Sequence, residues 1–318
     1  MLSLDFSKAF DKACHEVILA AASRFNLPRF IQKWLKNFVS DRIQRVRWNN
    51  ALSSWSPISS GVPQGSVLGP ILFSMIVDSF RPASGNSSVI KYADDITILH
   101  FVRSSSDDEL QKEWENAIAW SSANRLPLNL TKCKILDIVT KNTISVRPVV
   151  TFEGNALPQV DTLKILGVTF SSDLKWNIHV RNVVSKASSR IYIIRNLKRS
   201  DCSKDLLYRA YVSFIRSVLL YAYPSFCNMT AYLRQELSSV EKRVMKIIGS
   251  NCDKPDLLTF ADFTCSKFFK MIEYCKTHPL RIMFRELPES CTRRKFSLGP
   301  PCCKTKRLHN SFIKYSRP

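Results

Sequence analysis

Val89-Ile90-Lys91-Tyr92-Ala93-Asp94-Asp95-Ile96-Thr97-Ile98-Leu99 is the stretch on which the reading of this chain turns. Its two arms are β-prone, and the residues between them are small or acidic. The stretch therefore predicts a β-hairpin with carboxylates at its tip. A Tyr-x-Asp-Asp string is short, and by itself it is more often a surface turn. Its weight depends on what surrounds it.

Upstream, Leu2-Ser3-Leu4-Asp5-Phe6 predicts a short buried strand ending on an aspartate, followed at once by a helical pattern through about Arg24. Asp5 and Asp11 each also suit a helix N-cap. A second amphipathic helix starts at Pro28, with Phe30, Ile31, Trp34, Leu35 and Phe38 at helical spacing. Residues 43–60 alternate around Asn49-Asn50 and predict a second hairpin. The Gly/Pro-rich turn 61–70 leads into a helix over 71–80, and another helix is expected over 107–124. Strands with turns follow over 126–139 and 151–170, so the first 170 residues mix both kinds of element.

Beyond about Trp176 the pattern is helical. Val180, Val183, Val184, Ala187, Ile191 and Ile194 form one apolar stripe, and Leu206, Leu207, Ala210, Tyr211, Phe214, Ile215 and Val218 a second. Leu233, Leu237, Val240, Val244 and Ile247 form a third, which Gly249 stops. From Lys175 to Arg216 there are ten Lys/Arg and two acids, Asp201 and Asp205. Such a run is either a solvated helix face or a surface suited to a duplex backbone.

The chain has 318 residues, enough for two or three packed subdomains. Lys+Arg number 47 against 26 Asp+Glu, a net charge of +21, which favours a polyanionic partner through counterion release. Ten cysteines without a CxxC pair read as reduced, intracellular thiols rather than a disulfide framework. Cys291, Cys302, Cys303 and His309 match no common zinc-finger spacing. The N-terminus has no basic n-region, Asp5 interrupts its apolar run, and no apolar stretch of about 20 residues exists. A soluble protein without a membrane partner is expected.

Nucleotidyl transfer calls for carboxylates from separate segments that converge on two divalent ions. Mg²⁺ takes hard oxygen ligands and keeps some waters, so two or three aspartates suffice. Asp5 and the Asp94-Asp95 tip offer that set. Between them lies Ser60-Gly61-Val62-Pro63-Gln64-Gly65-Ser66-Val67-Leu68-Gly69-Pro70. The joint occurrence of all three, in this order, lifts each above a turn or a cap.

LDFSKAFD, GVPQGSVLGP, YADD, LNLTKCK and LKILGVTF follow one another in that order between residues 4 and 170, within a resemblance that runs from residue 2 to about residue 200. They resemble successive reverse-transcriptase blocks of non-LTR retrotransposons, of the jockey-like and chicken-repeat-like kind. The resemblance implies an α+β fold: a right-hand polymerase palm of antiparallel sheet and flanking helices with partial fingers over 1–170, then an α-helical thumb over 171–250. Residues 251–318 remain a basic extension without a motif. Implied with the fold are an RNA template, a DNA primer, deoxynucleoside triphosphates and two Mg²⁺ ions, with Mn²⁺ as a substitute.

The resemblance also carries site roles. Asp5, Asp94 and Asp95 are the implied metal ligands. Phe10 is the implied gate against a ribose 2′-hydroxyl, or else a core residue. Gln64 and Gly65 would lie over the incoming nucleotide and template, with Pro63 fixing the turn. Tyr92 would sit near the primer end, and Ala93 would leave room for the nascent pair. Lys132, three residues after Asn129, would stand near the leaving pyrophosphate as a general acid, with Lys134 close by. Asp11 reads as structural, and Leu166-Gly167-Val168 resembles the hairpin that grips the primer. Members of this family carry basic fingers strands and an endonuclease ahead of the first aspartate block. With Asp5 so near its start, the chain is expected to be a truncated copy. The alternative reading is a catalytically inactive remnant that only binds nucleic acid. A telomerase-like or intron-maturase-like enzyme shares the aspartates, but the jockey-like spacing and LKILGVTF argue against it. The expected location is an intracellular ribonucleoprotein, nuclear or cytoplasmic.

Overall fold

Leu2, Leu4, Ile96 and Ile98 are all buried, and their alternation with Ser3 and Thr97 makes them the inner face of a sheet. The computed structural model describes residues 1–102, 108–138, 149–249, 256–286 and 298–299. In chain order it begins with β1 (Leu2–Leu4), α1 (Ala9–Lys12), α2 (His15–Ser23) and α3 (Arg29–Val39). A ribbon follows, made of β2 (Arg42–Gln44), β3 (Arg47–Trp48), β4 (Ala51–Leu52) and β5 (Ser56–Ile58). Then come α4 (Leu68–Asp78), β6 (Ser87–Tyr92), β7 (Asp95–His100), α5 (Leu110–Ala123) and β8 (Lys134–Ile135). Strands β6, β7, β1 and β8 form one antiparallel sheet in that order. Side chains of α2, α4 and α5, among them Ile18, Phe73, Ile76 and Trp114, share its core.

Three local expectations need correction. The helix predicted after Phe6, through about Arg24, is two helices, broken at Ala13 and Cys14. There Gly61 N–H donates to Ala13 O at 2.8 Å, and Cys14 bridges Ser60, so a distant loop takes the carbonyl that would continue the helix. Helix α4 begins three residues earlier than expected, with Gly69 and Pro70 inside its first turn. Proline is tolerated there because its missing N–H has no intrahelical partner, and Ser66 Oγ accepts from Gly69 N–H. Finally, the stretch expected as strand over 126–139 holds only β8 among the described residues. Pro127 offers no N–H, so Leu128 pairs with Phe6 in a single bridge.

Two small hairpins come next in the chain: β9 (Thr151–Phe152) with β10 (Asn155–Ala156), and β11 (Thr162–Ile165) with β12 (Val168–Ser171). The chain divides into two compact units, residues 1–167 with 171–173, and residues 168–170 with 174–318. The second unit holds α6 (Asn177–Ser189), α7 (Ile191–Arg199), α8 (Lys204–Tyr211), a π-helical turn Val212–Arg216, α9 (Ser217–Leu219), α10 (Tyr223–Phe226), α11 (Ala231–Ile248) and α12 (Leu257–Tyr274). Val180, Ile194, Tyr211, Phe226, Val240 and Cys265 lie in its own core. Gly249, at φ 73°, ends α11 in the left-handed conformation that glycine adopts without penalty. Buried Glu241 accepts from Tyr211 O–H and Leu257 N–H, both at 2.7 Å, and so ties α8 and the start of α12 to α11. Helix α12 lies in the stretch that the sequence leaves without a motif. Cys291, Cys302, Cys303 and His309 fall outside the described residues. Among the described residues no helix is long and apolar enough to cross a membrane, and Cys14, Cys133, Cys202 and Cys275 are free thiols.

Candidate active site

The pairing Leu4↔Ile96, continued by one residue, sets Asp5 across from Asp95 at the start of β7. Tyr92↔Asp95 closes the β6–β7 hairpin, which leaves Ala93 and Asp94 as its two-residue loop. Ala93 holds φ 51°, a left-handed conformation that non-glycine residues adopt at some cost. The outcome is electrostatic. The Asp95 carboxyl has its pKa raised, first by desolvation, then by the charges of Asp94 and of Asp5. Carboxylates from two chain segments thus share one field.

Lys132 Nζ stands 4.0 Å from Asp5 Oδ1. Both side chains are substantially exposed, so the pair places charge more than it stabilises the fold. The backbone of Asp5 is held from the same stretch: Asn129 N–H donates to Asp5 O at 2.7 Å, and Asp5 N–H donates to Cys133 Sγ at 3.4 Å. Burial pushes the Cys133 thiol up to about 11, so it stays protonated beneath the aspartate. Sequence reasoning missed Cys133 because one cysteine four residues past Asn129 carries no pattern.

Gln64 makes its hydrogen bond to Asp11, Nε2 donating to Oδ1 at 2.6 Å. Its turn is fastened to the α1–α2 junction: Val62 N–H donates to Phe10 O at 2.9 Å, and Ser60 Oγ–H to Asp11 O at 3.1 Å. Gly61 has φ 92°, and a Cβ on it would meet Asp11 O at 2.8 Å, so only glycine allows this approach. Gly65 differs. Its φ of 78° calls for glycine, while the space a Cβ would enter is open. Asp11, Arg42, Gln44, Gly61 and Gln64 line an open groove of about 640 Å³. Phe10 is half-buried, its ring 4.6 Å from that of Phe73. It therefore sits at the rim of the core rather than inside it. Tyr92 is 65% exposed at the end of β6. Next to it, Lys91 Nζ donates to Val77 O, Asp78 O and Phe80 O at 3.0, 3.0 and 2.6 Å, hooking the hairpin onto the end of α4. The signal for Lys91 was a lone cation within a β-prone arm.

Asp5, Asp94, Asp95 and Lys132 are thus gathered at one end of the sheet, while Gln64 and Gly65 belong to the loop tied to Asp11. Among the described residues no three His, Cys, Asp or Glu side chains stand together as a ready metal site. The donor chemistry nevertheless fits a hard divalent cation. Asp5, Asp94 and Asp95 offer carboxylate oxygens only, and the Asp95 pKa is raised by desolvation first and then by the Asp94 and Asp5 charges, a repulsion that a cation relieves.

The family profile described as "Reverse transcriptase (RNA-dependent DNA polymerase)" matches residues 1–170, more than half of the chain. The chain belongs to the reverse transcriptase family. Among curated relatives, the RNA-directed DNA polymerase from mobile element jockey of Drosophila funebris is 29% identical over 232 residues, covering 69% of this chain and 25% of that protein. The Retrovirus-related Pol polyprotein from type-1 retrotransposable element R2 of Popillia japonica is 25% identical over 224 residues, covering 61% and 36%. The chain spans about a quarter of the length of the jockey relative. Telomerase from Candida tropicalis, solved with a fragment of telomeric RNA, aligns at 12% identity and TM-score 0.41, covering 99% of this chain and 44% of that one. The jockey-like resemblance read from the five blocks is thereby met, and the chain is a member of a nucleotidyltransferase family, with the mixed helices and strands of an α+β fold.

Proposed function

We propose that this chain copies an RNA template into DNA by transferring nucleotides to a primer 3′-hydroxyl, with residues 1–170 as palm and the helical unit as thumb. The observation that carries the reading is the register that sets Asp5 opposite Asp95, beside Asp94 on the hairpin tip. Asp5, Asp94 and Asp95 would hold two Mg²⁺ ions, or Mn²⁺, whose chemistry is to lower the pKa of the primer hydroxyl and neutralise charge on the leaving pyrophosphate. In the reaction the 3′-oxygen bonds to the α-phosphorus, the bond from that phosphorus to pyrophosphate breaks, and the hydroxyl proton leaves to solvent. Lys132, next to Asp5, would give the departing pyrophosphate a proton. Gly65 leaves open space beside its backbone for the incoming nucleotide and template, and Gln64 reaches toward them from a loop fixed on Asp11. Tyr92 and Ala93 face the primer end and the nascent pair. Phe10, held at the core rim by Phe73, would close the space that a ribose 2′-hydroxyl needs. Phe10→Val therefore raises incorporation of ribonucleotides relative to deoxynucleotides, and an unchanged ratio removes the gate role.

A second reading, a nucleic-acid binder without catalysis, draws on the absence of a ready three-ligand cluster among the described residues. Primer extension on an RNA template with Mg²⁺, comparing the chain with Asp94→Asn, separates the two. Extension by the native chain alone is the expected result. No extension by either protein, with salt-sensitive binding retained, overturns the polymerase reading in favour of the binder.

A further inference from the structure

Residues 43–57, the greater part of the β2–β5 ribbon, are exposed without interruption. A two-stranded ribbon that covers no core is marginal in water, yet this one displays Trp48 at 77% and Trp55 at 56% exposure. Its base is fixed, since Arg42 donates to Phe38 O at 3.2 Å and lies over the Phe38 ring. Its outer part is paired through Arg47↔Leu52 and Trp48↔Ala51, with Asn49 at φ 51° closing the tip. The indoles are therefore presented on an ordered arm.

The chemistry of that arm selects its partner. Arg45 places its guanidinium 4.5 Å over the Trp55 ring, and Arg47 precedes Trp48 directly. From residue 17 to residue 77 there are seven Lys/Arg and one acid, Asp41, which lies outside the paired strands. Cations set beside exposed indoles suit a polyanion that also offers flat faces. In a duplex those faces are hidden in the base stack; in an unpaired strand they are free to stack on aromatic side chains. We propose that the ribbon is a binding arm for an unpaired nucleic-acid strand, with bases stacked on Trp48 and Trp55 and phosphates against Arg45 and Arg47. The groove lined by Arg42, Gln44, Pro57 and Gln64 runs from the ribbon's base to the Gln64 turn, so a strand on the arm lies in line with the palm loop. The proposal goes beyond the polymerase reading, because it needs neither metal nor extension.

The test uses the full chain and labelled 20-mers: an unstructured RNA, a DNA of the same sequence, and a duplex of equal length. Fluorescence anisotropy is expected to show Trp48→Ala with Trp55→Ala weakening single-strand binding by about tenfold per lost stack, with duplex affinity unchanged. The Trp48→Phe, Trp55→Phe protein recovers most of the loss, because a phenyl ring still stacks. Photocrosslinks to single strands map to the ribbon in the native chain, and the RNA and DNA arms tell which strand it holds. An equal loss on duplex and single strand, or no loss on either, overturns the proposal. So does a dimer that dissociates on the double substitution while affinity stays constant, which would make the ribbon a contact between copies. Binding is read without extension, so failure here leaves the polymerase reading standing, and failure of extension leaves the ribbon standing.

Discussion

Asp95 is raised in pKa by burial, by Asp94 and by Asp5, and the sign of that shift sets a test. A carboxyl whose folded pKa lies above its unfolded value favours the fold while protonated. That contribution is complete below the unfolded pKa, about 4, and is lost as pH rises through the folded value. At neutral pH the Asp95 charge therefore works against the fold. Asp95→Asn is expected to raise Tm at pH 7, with the gain vanishing near pH 3. Mg²⁺ relieves the same repulsion, so it should raise the Tm of the native chain more than that of the variant. Equal Mg²⁺ shifts in thermal scans remove Asp95 from the metal-binding set. Gly61 offers a second residue-scale test. Gly61→Ala meets Asp11 O at 2.8 Å on a backbone at φ 92°, and it should cost more than about 1 kcal/mol in denaturant unfolding. Gly65→Ala has open space and suffers only its φ, so it should cost less. The reverse order would mean that the 60–65 loop is not fastened to the α1–α2 junction. Sequence marked both glycines as turn residues. It could not separate them, because the difference lies in a backbone contact fifty residues away.

At the scale of elements, Lys91 is where strand and helix meet. Its three hydrogen bonds satisfy carbonyls at the end of α4, although burial and the neighbouring Arg81 charge lower its pKa. Lys91→Met keeps the aliphatic stem and leaves those carbonyls without their ammonium partner. We expect a loss of about 1–3 kcal/mol in unfolding free energy, together with faster hydrogen exchange at Tyr92 and Asp95. Unchanged exchange there would show that α4 does not help hold the tip. The hairpin itself was legible, because β-prone arms around two acids admit few other shapes. The tip's neighbours were less so. The break at Ala13 depends on Gly61 taking its carbonyl, and Pro127 reduces an expected strand to one bridge. Local periodicity carries no trace of either partner.

At the scale of the whole molecule, the helical unit was legible where apolar residues kept to one stripe and illegible where they did not. Helix α12 buries Leu257, Ala261 and Cys265 but exposes Phe260 and Phe263, which blurs the period a sequence reading relies on. The charge of +21 was plain from composition; its use depends on which cations stand free of the core. On α7, Ile191 and Ile194 are buried while Arg195 and Arg199 are exposed, so the helix turns its charge to solvent. If this surface follows a duplex backbone, each arginine there displaces about one counterion from it. Arg195→Gln with Arg199→Gln should then lower the slope of log affinity against log salt by about 1.8 on a 20-base-pair RNA–DNA hybrid. Stability should move by less than about 0.5 kcal/mol, since neither side chain is in the core. The same substitutions should leave the Trp48 and Trp55 dependence of single-strand binding intact. A slope unchanged on the hybrid would assign the basic helix to solvation alone, leaving the excess charge of the ribbon segment as the electrostatic footprint that remains to be tested against a template.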